Sequence, residues 1–174
     1  MCLGLMVTSA RGGSATNAPA PKTDQTGVAR PNPRFTVQAD TNCVVDNLTG
    51  LMWARNANIA GAKNWADAVN YCTSLTYGGY SDWRLPNQRE LLSLIDNGRS
   101  NRALCNTAGT GKWTENDPFT GVGGHYWSST TGVVLTGSAW FVGLLGGYGS
   151  PEPYEGIDPK TCTYNVWPVR GGNK

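Results

Sequence analysis

The chain of 174 residues carries 14 Lys and Arg against 12 Asp and Glu, 23 Gly and 7 Trp, and only 15% charged residues, where an average soluble domain has about 25%. That length suits one domain with a single sizeable core, and so many aromatic and so few charged side chains exclude a disordered, solvating chain. Residues 1–34 hold Arg11, Lys22, Arg30 and Arg34 against Asp24, which leaves residues 35–174 with 10 basic and 11 acidic groups; a folded nucleic-acid-binding domain, which needs clustered Lys and Arg, is disfavoured.

Met1–Val7 is apolar but short for an export leader and lacks its basic flank, so it reads as the remnant of a processed signal or as an ordinary apolar start. No run reaches the ~18–20 apolar residues of a membrane span. Residues 8–34 are rich in Ser, Thr, Ala, Gly and Pro, and Pro19, Pro21, Pro31 and Pro33 favour extended conformations. The chain thus divides into an extended N-terminal tail, 1–34, and a domain, 35–174. Fully extended, the tail reaches on the order of 110 Å, enough to lie across a neighbouring subunit.

Within the domain, Phe35–Val37 and Cys43–Val45 read as short strands, Asp46–Gly50 as a turn, and Leu51–Ala54 as a buried run after it. Asn47-Leu48-Thr49 matches a glycosylation sequon, but turn chemistry explains it without a glycan. Asn64 caps a first helix whose Trp65, Ala68, Val69, Cys72 and Leu75 share one face, stopped by Gly78-Gly79. Asn87 with Glu90 three residues on opens a second, carrying Leu91, Leu92, Leu94 and Ile95 and ending at Asn97-Gly98. Residues 100–124 read as a long loop anchored by Trp113 and Phe119. Tyr126–Thr130, Ser138–Leu145 and Tyr164–Arg170 read as strands, with Pro168 marking an edge or a bulge. Two helices followed by short antiparallel strands describe an α+β domain.

Cys2, Cys43, Cys72, Cys105 and Cys162 form no CxxC pair, and His125 is the one histidine, so no zinc-ligand spacing exists. Cys43, Cys72, Cys105 and Cys162 read as two disulfides in an oxidising compartment, with buried free thiols as the other reading.

Val45-Asp46-Asn47-Leu48-Thr49-Gly50-Leu51-Met52-Trp53, Trp65-Ala66-Asp67-Ala68 with Tyr71-Cys72 and Leu75, Gly79-Tyr80-Ser81-Asp82-Trp83-Arg84-Leu85-Pro86-Asn87 with Glu90-Leu91, and Tyr126-Trp127-Ser128-Ser129-Thr130 with Trp140 and Val169-Arg170-Gly171-Gly172 follow in order. Together they resemble the bacterial Lcl-type domain, named for the C-terminal domain of the Legionella collagen-like adhesin, from about Phe35 to Gly172. The resemblance implies a C-type-lectin-like fold with both ends of the domain close together, and a distant likeness to formylglycine-generating enzymes. It implies a secreted or cell-surface protein, since the best-known relative is a trimeric adhesin head that binds host glycosaminoglycans. It also implies bridges Cys72–Cys162 and Cys43–Cys105; Cys43–Cys162 with Cys72–Cys105 is the other arrangement, because first and last strands adjoin in that fold. In the motif residues themselves, Trp83 is expected in the core, Arg84 on a carboxylate or carbonyls, and Pro86 at the helix entry. Tyr126–Thr130 and Trp140 are expected to alternate between core and outward positions.

Enzymatic chemistry is not expected. A single loop histidine supports no catalytic triad, GxSxG is missing, and the copper-binding cysteine pair of the formylglycine-generating enzymes finds no match beside Cys162. No cofactor is called for. Calcium would have to use Glu115-Asn116-Asp117 or Glu152, Glu155 and Asp158, whose spacing matches no calcium loop. Ligand binding falls to Arg99, Arg102 and Lys112, with Trp113, Tyr148 and Tyr154 as stacking surfaces; Tyr77 and Tyr80 are further aromatic candidates, and for Trp113 plugging the loop onto the core is the preferred role. The expectation is an extracellular or cell-surface, non-enzymatic, adhesin-like module that binds surface glycans or host and cell-surface proteins. The alternative is a structural subunit of a homo-oligomeric fibre, joined to other copies of itself through the tail.

Overall fold

Asn64 and Asn87 start the two helices of the computed structural model, which describes residues 30–98, 103–145 and 153–171. Residues 1–29 with Cys2, residues 99–102 with Arg99 and Arg102, residues 146–152 with Tyr148 and Glu152, and residues 172–174 lie outside the described residues, and so does any packing of the tail before Arg30 on a neighbour. Helix α1, Trp65–Ser74, is capped by the Asn64 side chain, whose Oδ1 accepts the Asp67 N–H at 2.9 Å. It buries Ala68 and Cys72. Helix α2, Gln88–Ser93, opens with a reciprocal pair: Asn87 Oδ1 accepts the Glu90 N–H at 2.9 Å, and Glu90 Oε2 accepts the Asn87 N–H at 2.8 Å. Such caps satisfy amide donors that the first turn leaves free.

Helix α2 is shorter than its leucines predict. Ile95–Asp96 turns into a strand, β5, antiparallel to β6, Ala103–Leu104, which enters the stretch expected to be loop. All four residues are buried. Asp96 leaves the helix to meet Arg30, whose Nη1 lies 2.9 Å from Asp96 Oδ2.

Strands β1 (Phe35–Val37), β2 (Cys43–Asp46), β3 (Leu51–Ala54) and β11 (Val169–Gly171) form an antiparallel sheet in the order β1-β2-β3-β11. First and last strands thus share a sheet without adjoining, since they lie on its two edges and β11 pairs with β3, Val169 opposite Trp53. A second sheet runs β4 (Ala62–Lys63), β10 (Tyr164–Asn165), β7 (His125–Thr131), β8 (Ser138–Gly143), β9 (Tyr154–Pro159), antiparallel except at β10–β7. The single strand expected over Tyr164–Arg170 is therefore two, one in each sheet. Val166, Trp167 and Pro168 make the crossing, and all three are buried.

That crossing builds the main core. Trp167 packs edge-on against Trp53 at 5.4 Å and Phe119 at 4.8 Å between ring centroids, with Tyr126 at 5.3 Å. Its indole N–H donates to the Ala54 carbonyl at 2.7 Å. Edge-to-face rings at such distances add to the area they bury. A smaller core joins Ala68 and Cys72 of α1 to Trp127, Ala139 and Phe141. Strand β7 lies between the two, so Tyr126 and Trp127 are both fully buried on opposite faces. The expected alternation of core and outward positions fails there because both faces of the strand are covered. Two helices over short, mainly antiparallel sheets make the domain α+β.

The motif residues are structural. Trp83 is 2% exposed and donates its indole N–H to the Tyr77 carbonyl. Arg84 does both things expected of it: it forks onto Glu90 at 2.7 and 2.6 Å and reaches the Gly171 carbonyl at 3.0 Å. At the sequon, the Asn47 amide nitrogen donates across to the Pro33 carbonyl and Thr36 Oγ1, while the turn is held by Asp46 Oδ1, which accepts the Leu48 N–H at 2.9 Å.

The end of the tail is fastened to the domain. Arg34 is fully buried and forks onto Asp46, Nε to Oδ1 and Nη2 to Oδ2 both at 2.7 Å, with Nη2 also donating to the Ser93 carbonyl at 2.8 Å. Burial opposes the charge, but the hydrogen bond and charge of Asp46 outweigh it and hold the guanidinium above its ordinary pKa. Two of the tail's positive charges are thus spent inside the domain, on Asp46 and Asp96.

The expected disulfides are not formed: Cys43, Cys72, Cys105 and Cys162 are not bridged to one another. Each is taken up by its own surroundings. Cys43 packs in the main core against Gly78, and Cys105, in the same core, lies 3.5 Å from Arg30 Nη2. Cys72 is buried under α1, and Cys162 lies half-buried against that smaller core. Desolvation pushes Cys43 up to about 11 and Cys72 up to about 12, which suppresses the reactive thiolate at neutral pH. In a Cys2→Ser variant, native protein should give one fast-labelling thiol with a thiol-specific reagent, lost in the further variant Cys162→Ser; the other three should react only after denaturation.

Candidate functional site

Of the residues proposed for ligand binding, Lys112 is exposed and Trp113 half-buried on the long loop. Trp113 donates its indole N–H to the Phe119 carbonyl at 3.1 Å and packs on the main core, so it plugs the loop down. Tyr77 has its carbonyl on Trp83, and Tyr80 lies under Arg170, whose guanidinium carbon is 3.8 Å from the ring centroid. Tyr154 stands elsewhere, on the edge strand of the five-stranded sheet.

Around Tyr154 the register assembles a constellation that no local motif announces. His125, Gly143 and Tyr154 form one row across β7, β8 and β9, and Trp127, Phe141 and Gly156 form the next row of that face. Side chains in such rows point the same way. Tyr164 joins from β10, next to Asn165, which pairs with Tyr126. The His125 ring lies 5.4 Å from Phe141, 5.4 Å from Tyr154 and 5.3 Å from Tyr164 by centroids, and its Nε2 is hydrogen-bonded to the Tyr154 hydroxyl. The Tyr164 hydroxyl donates to Asp158. His125, Tyr154, Tyr164 and Asp158 are each half-buried.

Two glycines make room for these rings. A Cβ on Gly143 would come within 2.6 Å of the Tyr154 ring, and one on Gly156 within 2.7 Å of Phe141. Each glycine faces the ring that covers it directly across the strands, so the aromatics lie down over the sheet instead of standing away from it.

Desolvation lowers the pKa of His125 from its ordinary 6.5, and the charge of Asp158 offsets only some of that. The unfolded chain therefore takes up a proton before the folded one, and stability from His125 is complete above 6.5 and lost as pH falls through the lower folded value. Urea unfolding followed between pH 7.5 and 5 should show midpoints dropping with pH more steeply for the wild type than for His125→Gln.

Among the described residues, the acids considered for calcium are occupied within the fold. Asp117 Oδ1 accepts the Thr107 N–H at 2.9 Å, Glu115 the Gly121 N–H at 3.0 Å, and Glu155 the Gln88 side chain at 2.6 Å. Among the described residues no three His, Cys, Asp or Glu side chains converge where a metal ion could be held. What the His125 face presents is rings with hydroxyl, imidazole and carboxylate groups at their edges, a surface for stacking and hydrogen bonding.

A family model described as the Lcl C-terminal domain matches residues 42–170. No curated protein matches the chain.

Proposed function

The chain belongs to the Lcl C-terminal domain family, and from that premise we propose that it is a non-enzymatic, surface-associated, adhesin-like module of C-type-lectin-like fold. The observation that carries the reading is the face around Tyr154, where half-buried rings are ordered by the sheet and rimmed by polar groups. Sugars are recognised by that combination, their C–H faces on rings and their hydroxyls on paired donors and acceptors. The ligand class is a glycan presented at a surface, or the glycan of a surface protein.

Charge supports ring-and-hydroxyl recognition over a purely electrostatic one. The domain carries 10 basic and 11 acidic groups from residue 35 on, and Arg30 and Arg34 are already committed to internal ion pairs. Binding through stacking and neutral hydrogen bonds persists as salt is raised, whereas exposed ion pairs are screened. The test is a glycan array and a heparin column, each run at physiological salt with wild type and Tyr154→Ala. Retention of the wild type that Tyr154→Ala weakens about tenfold or more supports the reading; no retention on either would refute it.

The fibre reading rests on the N-terminal tail, residues 1–34, of which residues 1–29 precede the fastened Arg30 and Arg34. Deleting residues 1–29 should abolish assembly if the tail is the joint, and a truncated chain that assembles normally removes that role.

A further inference from the structure

The hairpin joining β7 to β8 ends in an apolar tip that the fold leaves uncovered. Val133, Val134 and Leu135 are 94%, 90% and 58% exposed, the first three of the four large hydrophobic residues exposed among the described residues. They are adjacent in sequence, and the chain holds no charged residue from Tyr126 to Pro151. Scattered exposed leucines and valines are ordinary, but three together at the end of a projecting hairpin are a surface feature.

The tip is held in place by its shoulders. Gly132 N–H donates to the Ser138 carbonyl at 3.0 Å and Ser138 N–H to the Leu135 carbonyl at 2.8 Å. Lys160, from the turn after β9, braces the other side: its N–H donates to the Gly137 carbonyl at 2.9 Å and its Nζ to the Thr136 carbonyl at 2.9 Å. The same ammonium lies 4.3 Å from the centroid of the Trp65 ring, and Trp65 N–H donates to the Lys160 carbonyl at 3.0 Å. One end of the five-stranded sheet thus presents apolar side chains outermost, with an indole and an ammonium behind them.

We propose that this end of the molecule docks on a lipid surface, the Val133–Leu135 tip entering the acyl boundary and Trp65 and Lys160 resting at headgroup level. The order from tip to shoulder matches the order of a bilayer, apolar first, then the amphipathic indole and the cation that prefer the interface. A protein partner fits less well. Three side chains on a convex hairpin supply a small fraction of the ~1,000 Å² that a specific protein interface needs, whereas a bilayer accepts a protruding wedge without a matching groove. The inference is independent of glycan binding, because the vesicles that test it carry no sugar.

The full chain is sedimented with vesicles of phosphatidylcholine and of phosphatidylcholine with phosphatidylglycerol, against the triple variant Val133→Ser, Val134→Ser, Leu135→Ser. These residues support nothing in the core, and an unchanged thermal unfolding curve verifies the variant's fold. The wild type should partition to both vesicles, more strongly to the anionic ones, and the variant should lose about tenfold or more. A Val134→Trp reporter should shift its emission to the blue on vesicles. Wild type that stays in the supernatant, or a triple variant that binds equally, overturns the proposal. So does concentration-dependent self-association in vesicle-free buffer that the triple variant removes, since the tip would then be an interface between copies of the chain.

Discussion

Replacing Arg34 by Met should cost the domain about 3–5 kcal/mol, measured as a fall in the urea midpoint with little change in slope. Arg34 and Asp46 have no exposed side-chain surface, and two parallel 2.7 Å hydrogen bonds join them. The Met side chain fills much of the volume but leaves the Asp46 carboxylate buried without its cation, and the Leu48 N–H, which Oδ1 accepts at 2.9 Å, is a neutral donor that does not replace it. An uncompensated charge away from water is the costly outcome, more than the loss of the pair as such. Asp46→Asn should approach the same loss from the other side. The double variant Arg34→Met, Asp46→Leu should recover a large share of it, because no charge is then left behind. A single variant that proves neutral, or a double variant as damaged as the two single ones added together, would contradict this account of the pair.

Trp167→Ala should be the most damaging substitution in the main core. Truncating a buried tryptophan costs about 3–5 kcal/mol through lost transfer energy and the cavity left behind. Here the ring also touches Trp53, Phe119 and Tyr126, and its N–H is bonded to the buried Ala54 carbonyl. The loss therefore approaches the whole of an ordinary domain's stability, about 5–15 kcal/mol. Near-UV circular dichroism should show Trp167→Ala weakly packed at room temperature. Trp167→Phe keeps most of the ring and should lose about 1–3 kcal/mol, the cost of leaving a buried carbonyl unmet.

Trp167 also marks where the sequence can be read and where it cannot. Helix α1 is legible because its cap, Asn64, and its buried residues Ala68 and Cys72 follow local rules, one hydrogen bond and one helical face. The strand run Tyr164–Arg170 is legible as extended chain but not as a passage between two sheets, because burial of Val166, Trp167 and Pro168 depends on what lies above and below them. Strand β9 escapes a local reading altogether. Tyr154-Glu155-Gly156-Ile157-Asp158-Pro159 holds a glycine, two acids and a proline, which local propensity reads against a strand. Its pairing with β8 from Ser138 opposite Pro159 to Gly143 opposite Tyr154 overrides that preference, and its edge position tolerates the proline.

The candidate site is hidden for a related reason. Tyr154 can be picked out as an aromatic residue, but its neighbours His125 and Tyr164 are separate along the chain, and only the register of β7, β8, β9 and β10 sets them side by side. Gly143 and Gly156 carry the one local trace, each lying opposite an aromatic ring across the strands. The disulfide expectation fails on the same kind of information. Cysteine spacing says nothing of whether a thiol already has a packing role, and Cys43 and Cys72 each have one, in different cores.

The fastening of Arg30 and Arg34 to Asp96 and Asp46 has a mechanical consequence. A pull transmitted along the chain from residue 29 meets the Arg30 pair first and the buried Arg34 fork next, before it can peel β1 from β2. The far end of the domain leaves from β11, on the opposite edge of the same sheet. Tension between the two ends therefore crosses the four strands side to side, the direction in which backbone hydrogen bonds break in succession like a zip. Two ion pairs placed ahead of the first strand shield that weak direction, so the force at which the domain yields should be set by the Arg34 fork more than by any strand.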